Sequence, residues 1–93
     1  MMHNYQLGEL VLSTAGRDSG RYFIIVEIVD DKFVKISDGD LRTIEDPKLK
    51  NIKHIKKTGE VEKELGKWLK EDRRVRNEDL KQFIKEYEKG KGA

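Results

Sequence analysis

Cysteine is absent from this 93-residue chain, and proline occurs only once. Without cysteine the chain has no disulfide, no thiolate zinc site and no cysteine nucleophile, which is typical of a reducing, cytoplasmic setting. The longest apolar run, Tyr22–Val26, is far shorter than the roughly 20 residues of a membrane helix. The N-terminus, Met1–Tyr5, has neither the basic nor the apolar region of a signal peptide, so we expect no leader and no membrane partner.

The signatures of common catalytic sites are also missing. The sequence contains no G-x-S-x-G, no phosphate-binding P-loop and no G-x-G-x-x-G. His54 has no acid or cysteine at the spacing of a metal-ligand pair. The aspartates between residues 30 and 40 are turn formers, because their side chains bond to their own backbone. We therefore expect no enzyme, no catalytic residue, no metal site and no cofactor.

Charge is distributed unevenly, although 20 Lys and Arg residues nearly balance 18 Asp and Glu residues. Residues 24–46 carry a net charge of −4, whereas residues 47–58 contain five lysines and no acid. A local basic stretch in a nearly neutral protein fits a phosphate-binding face. It equally fits a solvated edge strand, since lysines protect such edges from pairing. Composition alone leaves both interpretations open.

The first 58 residues have the pattern of short strands. We predict them at Gly8–Thr14, Tyr22–Val29, Phe33–Ser37, Leu41–Ile44 and Asn51–Lys57. The second strand is apolar on both faces, which predicts a central strand covered on both sides. The Asp38-Gly39 pair predicts a hairpin turn, and Pro47 is expected to end the fourth strand because it cannot donate to a ladder. Five short strands with tight turns predict a small closed or nearly closed β-barrel.

After residue 58 the apolar period becomes helical. One face is formed by Val61, Leu65, Trp68 and Leu69, and a second by Leu80, Phe83, Ile84 and Tyr87. We expect Thr58 or Gly59 to cap the first helix, Asn77 to cap the second, and Gly90 to end it. Gly66 should weaken the first helix. The predicted fold is α+β, with a five-stranded barrel over residues 1–58 and a two-helix extension over residues 59–93.

The role of this extension has two interpretations. The helices either fold against the barrel, burying Trp68, or offer an apolar face to a protein partner. The basic connector between them, Arg73, Arg74 and Arg76, either contacts RNA or is simply solvated.

The stretch Gly8–Val29 resembles a KOW motif, which is a Gly-led strand, a Gly-containing loop with basic and small polar residues, and a long apolar strand. The likeness continues through Val34–Gly39 and Lys48–Ile55, and so covers residues 7–57. In this arrangement the chain is similar to the ribosomal KOW proteins. The most similar are the archaeal and eukaryotic large-subunit proteins of the fourteen-e and twenty-seven-e families and the small bacterial RNA-binding proteins related to them.

The resemblance implies an SH3-like barrel and RNA binding, with rRNA and the ribosome as partners. It places the RNA contact in the loop between the first two strands, at Thr14, Gly16, Arg17, Asp18, Gly20 and Arg21. A Gly-rich loop can bring backbone N–H groups close to a phosphate, and arginine can bind a phosphate with two hydrogen bonds. Alternatively, the glycines serve only the geometry of the loop.

The basic stretch extends this predicted RNA-binding surface. Its members are Lys48, Lys50, Lys53, His54, Lys56 and Lys57. Base stacking needs exposed aromatic rings; we expect Tyr22 and Phe33 in the core, and the position of Tyr5 stays open. The alternative function is a protein-interaction module in transcription or translation complexes, because SH3-like barrels also bind peptides.

Overall fold

A computed structural model describes residues 4–71 and 73–91. Met1–His3, part of the segment inspected for a leader, lie outside the described residues, as do Asp72, Gly92 and Ala93. The elements are β1 (Glu9–Ser13), β2 (Tyr22–Ile28), β3 (Phe33–Ser37), β4 (Lys48–Asn51), a 3-10 helix (Ile52–His54), β5 (Ile55–Val61), α1 (Lys63–Lys70) and α2 (Asn77–Lys91). None of the described helices is long and apolar enough to cross a membrane.

The five strands form one antiparallel sheet in the order β4-β3-β2-β1-β5. Register shifts interrupt the β1–β5 pairing near Glu9 and the β2–β3 pairing near Glu27. Such irregularities increase the local bend and twist of strands. Among the described residues no ladder joins β4 to β5, so the barrel is SH3-like but open. The predicted α+β class, a five-stranded sheet followed by two helices, is confirmed.

Strands β1 and β2 are buried on both faces, as their composition predicts. One face packs on the helices and forms what we call the helix-side core, made of Leu10, Ile24, Leu65, Val75, Leu80 and Ile84. The other face points into the barrel and forms the barrel core, made of Val11, Phe23, Ile25, Val34, Ile36 and Ile55. Successive side chains of β2 point to opposite faces of the sheet, so Ile24 lies in the helix-side core whereas Phe23 and Ile25 lie in the barrel core. The C-terminal helices supply the second cover of the sheet.

Two glycines allow α1 to approach the start of β1. A Cβ atom on Gly66 would lie 2.5 Å from the carbonyl oxygen of Leu7, and one on Gly8 would lie 2.5 Å from that of Glu62. The backbone N–H of Glu62 also donates to the carbonyl of Gly8 at 3.0 Å. Gly66, a poor helix former, therefore occupies α1 because any side chain at this position would push the helix off the sheet.

The predicted strand Leu41–Ile44 is wrong, because this segment is satisfied by local hydrogen bonds instead of a ladder. The Asp38 carboxylate accepts the N–H groups of Asp40 (3.0 Å) and Arg42 (2.9 Å), while the Arg42 carbonyl accepts the N–H groups of Asp38 and Gly39. We call residues 38–42 the second turn. Pro47 precedes the true fourth strand, β4, instead of ending a strand. A proline directly before a strand needs no ladder donor.

The ends of several later elements also differ from the prediction. The last strand begins at Ile55, not Asn51, and continues to Val61, because a 3-10 helix intervenes and residues 58–61 extend the edge of the sheet. Glu62, not Thr58 or Gly59, caps α1 through its carboxylate, which accepts the Glu64 N–H at 3.2 Å. Helix α2 continues to Lys91, past the predicted stop at Gly90.

Asn77 does not cap α2 with its side chain. Its amide oxygen accepts the Ile44 N–H at 2.8 Å, and its amide nitrogen donates to Glu45 at 3.0 Å. The Asp79 carboxylate instead accepts the Arg76 N–H at 3.0 Å, which satisfies a donor at the start of the helix. The side chain of Asn77 thus ties α2 to the segment that follows the second turn.

Candidate nucleic-acid interface

The loop between β1 and β2, residues 14–21, is a compact structure closed by backbone hydrogen bonds. The Ser13 N–H donates to the Arg21 carbonyl at 2.9 Å, and the Gly20 N–H donates to the Ser13 carbonyl at 2.8 Å. Gly16 (φ 84°) and Gly20 (φ 88°) both have left-handed backbone conformations. Glycine adopts this region without steric penalty, so the two glycines allow the loop to reverse tightly.

Asp18 fastens this loop to β4 from within. Its carboxylate accepts the Ser13 hydroxyl at 2.7 Å and the ammonium groups of Lys48 at 2.9 Å and Lys50 at 3.0 Å. Lys50, whose side chain is only 6% exposed, also donates to the Ala15 carbonyl at 2.9 Å. The acid therefore joins the loop to β1 and β4, across the width of the sheet.

The charge state of Asp18 follows from these contacts. Burial opposes ionisation and would raise the pKa of the carboxyl group. Hydrogen bonds from Lys48, Ser13 and Lys50, together with the positive charge of Lys50, outweigh burial and hold the pKa of Asp18 well below its usual range. Asp18 is thus an anion at neutral pH, neutralised by two cations. An acid in a loop of this kind does not repel phosphate when its charge is already balanced internally.

The predicted basic residues separate into internal and outward-facing groups. Lys50 is committed to Asp18, while Lys48 shares that ion pair and remains 28% exposed. The Lys57 ammonium binds the buried Glu9 carboxylate at 2.8 Å and lies 4.4 Å from the centre of the Tyr5 ring. Lys53 and Lys56 are exposed and form no ion pair within the described part of the chain.

The structure brings the second predicted group, around His54, next to the loop. The Thr14 N–H donates to the His54 carbonyl at 2.9 Å, and Ser13 pairs with Ile55 in the ladder between β1 and β5. The segment that carries Lys53, His54 and Lys56 therefore lies next to the point where the loop leaves β1. Lys57 is different, because its ion pair with Glu9 turns it away from this cluster.

Arg42 is a further cation at this surface, and sequence analysis did not identify it. Together with Arg17, Arg21 and Lys48 it lines a groove of about 420 Å³ between the loop and the second turn. Arg17 and Arg42 form no ion pair within residues 4–71 and 73–90, and Arg21 lies 3.8 Å from Asp38. No local pattern indicates Arg42, because its place beside the loop depends on the hydrogen bonds of the second turn.

Comparisons with known proteins bear on this surface. No protein-family model matches the chain. It is 40% identical over 53 residues to large ribosomal subunit protein eL14 of Desulfurococcus amylolyticus, an alignment that spans 57% of this chain and about half (55%) of that relative. It is 30% identical over 89 residues to large ribosomal subunit protein eL14 of Staphylothermus marinus, spanning 92% of each chain. The chain belongs to the eL14 family. The resemblance to ribosomal KOW proteins is thus confirmed at modest identity.

The rings of Tyr5, Tyr22 and Phe33 are all partly buried in this eL14-family chain. Tyr22 packs against the helix-side core and meets Tyr87 edge-on, with ring centres 5.2 Å apart. Tyr5 packs against the barrel core, donates to the Ile55 carbonyl at 3.4 Å and lies beneath Lys57. Phe33 is half-buried. These three rings therefore form no open stacking platform.

The helical extension of this eL14-family chain packs on the sheet. Leu65, Leu80 and Ile84 are buried in the helix-side core, and Trp68 is partly buried against it. The apolar faces that sequence analysis offered to a protein partner are thus used within the chain. Arg73 lies 5.8 Å from the Trp68 ring, and Arg76 lies 3.7 Å from Glu78.

Among the described residues no three His, Cys, Asp or Glu side chains are placed to hold a metal ion. The relatives are ribosomal proteins by name.

Proposed function

We propose that this chain is a component of the large ribosomal subunit that binds structured rRNA through the β1–β2 loop and the cations beside it. One observation carries the proposal: Asp18 locks the loop in place while leaving Arg17 and Arg21 exposed at its surface. The family of the chain supplies the ligand class, because its relatives are named as large-subunit proteins. Such a role belongs in the cytoplasm, where ribosomes work.

The physical basis of this binding is a fixed set of cations. A loop that is ordered before binding loses little conformational entropy when it meets RNA. Arg17 and Arg21 offer planar guanidinium groups that bind phosphate bidentately, and the glycines keep the loop backbone open to close approach. Lys53 and Lys56 extend the positive surface beyond the loop, and His54 lies between them in the chain. Recognition of this kind depends on backbone shape more than on base sequence.

The two parts of the chain have different tasks in this proposal. The barrel, whose last strand β5 ends at Val61, carries the RNA-binding surface. Helices α1 and α2 cover the outer face of β1 and β2 and thereby stabilise the barrel. The alternative, a protein-interaction module of the SH3-like type, would need an aromatic groove on the barrel, whereas Tyr5 and Tyr22 pack against the cores and Phe33 is half-buried.

Salt dependence of RNA binding tests the proposal. The protein should bind a structured fragment of large-subunit rRNA, measured by fluorescence anisotropy at several salt concentrations. Each phosphate contact contributes about 0.9 to the slope of log K against log salt on a duplex, so about four contacts give a slope near −4. Arg17→Gln and Lys56→Gln should each lower the magnitude of the slope by about 1.

A matched charge control is Lys67→Gln, because Lys67 is exposed on α1 and lies beside Ile28, at the end of β2 opposite the loop. It should leave the slope within about 0.3 of the wild-type value. Co-sedimentation of the tagged chain with large subunits supplies the cellular test, and crosslinking then identifies the rRNA positions. A slope near zero, or a chain that never sediments with large subunits, would overturn the proposal.

A further inference from the structure

The groove between the β1–β2 loop and the second turn is lined by apolar side chains as well as by cations. We name it the arginine groove; its lining includes Arg17, Arg21, Leu41, Arg42 and Lys48, with Phe23 beneath. Its volume of about 420 Å³ falls within the range of small-ligand pockets, about 300 to 1,000 Å³.

The electrostatics of the arginine groove favour an anion. Its single lining acid, Asp18, is already bound by Lys48 and by the buried Lys50. Arg17 and Arg42 have no ion-pair partner within the described part of the chain. Three guanidinium groups around one space match the oxygens of a phosphate.

The neighbouring groove between the loop and α2 provides a contrast. It shares Arg21 with the arginine groove, but its cations are offset by equal numbers of acids. Its charged lining is Arg21, Lys81 and Lys85 against Asp38, Asp40 and Glu88. An anion that reaches Arg21 therefore gains more on the side of Arg17 and Arg42.

An apolar side chain stands beside these cations. Leu41 is 63% exposed, more than any other large apolar residue in the described chain. It is held there because the second turn is fixed by the Asp38 carboxylate and by the Ser37 hydroxyl, which donates to the Arg42 carbonyl. The position of Leu41 next to arginine suits a ligand with an anionic part and a flat apolar part.

We propose that the arginine groove binds a single unpaired nucleotide extruded from the RNA, with its phosphate on the guanidinium groups and its base against Leu41. Unstacked bases are the usual means by which proteins recognise particular RNA positions, and arginine planes also stack on bases. The inference rests on the proposed function for the choice of RNA over other phosphate ligands. Such a site lets the protein recognise one particular nucleotide in addition to the shape and charge of the RNA.

Two labelled RNA hairpins of the same sequence test the inference, one fully paired and one with a single bulged adenosine. At fixed salt, wild-type protein should bind the bulged hairpin about five-fold more tightly, the effect expected when a base covers about 40 Å² of apolar surface on Leu41. Leu41→Ser should abolish this preference and leave the affinity for the paired hairpin within about two-fold. Arg42→Gln should weaken binding to the bulged hairpin more than binding to the paired one.

Leu49→Ser is the matched control, because Leu49 is 53% exposed on β4 and does not line the groove. It should keep the full preference, and thermal melting should show that all three variants remain folded. Equal binding of both hairpins by wild-type protein overturns the inference while the proposed function stands. A preference that survives Leu41→Ser, or stronger competition by a polyglutamate peptide than by the bulged hairpin, overturns it as well. Binding to neither hairpin overturns the inference, and the salt dependence measured on the rRNA fragment then decides separately whether the proposed function stands.

Discussion

Replacing Asp18 with alanine should destabilise the protein far more than removal of a surface acid. The carboxylate side chain is 11% exposed and receives three hydrogen bonds, from Ser13, Lys48 and Lys50. Its loss leaves the Lys50 ammonium, 6% exposed, with only the Ala15 carbonyl as a partner. Removing one member of a buried ion pair costs about 3 to 5 kcal/mol, because the other charge stays desolvated.

A double-mutant cycle separates the pair from the rest of the site. Lys50→Met should cost less than Asp18→Ala, because Asp18 keeps Lys48 and Ser13 as partners. The double variant removes both buried charges, so its loss should be smaller than the sum of the two single losses. We expect a coupling free energy of about 1 to 3 kcal/mol.

Urea unfolding at pH 7, with linear extrapolation of the free energy to water, measures all four proteins. The pH dependence gives a second readout of the Asp18→Ala effect. The pKa of Asp18 is lowered in the folded protein, so its contribution is present above about pH 5, where the unfolded carboxyl is also ionised. As the pH falls through about 4 and below, protonation removes this contribution, and the difference between wild type and Asp18→Ala should shrink.

The control is Lys35→Met, which breaks a 3.7 Å ion pair with Glu27 between two exposed side chains. Exposed pairs contribute at most about 1 kcal/mol, so this variant should unfold nearly like wild type. A loss below about 1 kcal/mol for Asp18→Ala, or additive losses in the cycle, would refute the idea that a buried ion pair fastens the loop to β4.

Two further variants test the glycines by urea unfolding. Gly66→Ala should lower the free energy of unfolding by about 1 to 3 kcal/mol although alanine is the better helix former, because its Cβ would lie 2.5 Å from the Leu7 carbonyl oxygen. Gly90→Ala, where the space is open, should be neutral or slightly stabilising. Equal stability of the two variants would contradict the close approach of α1 to the start of β1. Gly16→Val should lower the free energy of unfolding by about 1 to 2 kcal/mol, because Gly16 has a left-handed backbone conformation that valine adopts only with strain. Ser19→Ala should remain close to wild type. Equal stability of these two variants would mean that the loop tolerates another conformation.

Much of the fold is predictable from local patterns. The runs in β1, β2 and β3 lie within one residue of their predicted places, and α2 begins at Asn77 as expected. Helix α1 begins later than predicted, at Lys63, and Val61 of its predicted face lies in β5. Such elements are encoded locally, because a strand or an amphipathic helix repeats its apolar residues at its own period. The two-sided apolar character of β2 also predicted a cover on each face, and the helices provide the second one.

The fourth strand illustrates what local patterns miss. Residues 41–44 and β4 have similar short apolar and basic compositions, and nothing within either segment decides which one pairs with β3. The choice depends on Asp38, whose carboxylate binds the backbone of the second turn, and on Lys50, which reaches Asp18 only from β4. The contact between Lys50 and Asp18 joins residues 32 positions apart along the chain, so no local pattern in the sequence reveals it.

The candidate site divides in the same way. The sequence by itself determined the family resemblance, the glycines of the loop and the acid-free stretch 47–58, because all of these are properties of contiguous residues. Only the tertiary structure decided which charges are available: Lys50 is buried against Asp18, Lys57 is paired with Glu9, and Arg42 joins the loop. The physical reason is that the charge a residue presents to a ligand depends on its partners in space, and those partners lie 32 and 48 residues away along the chain.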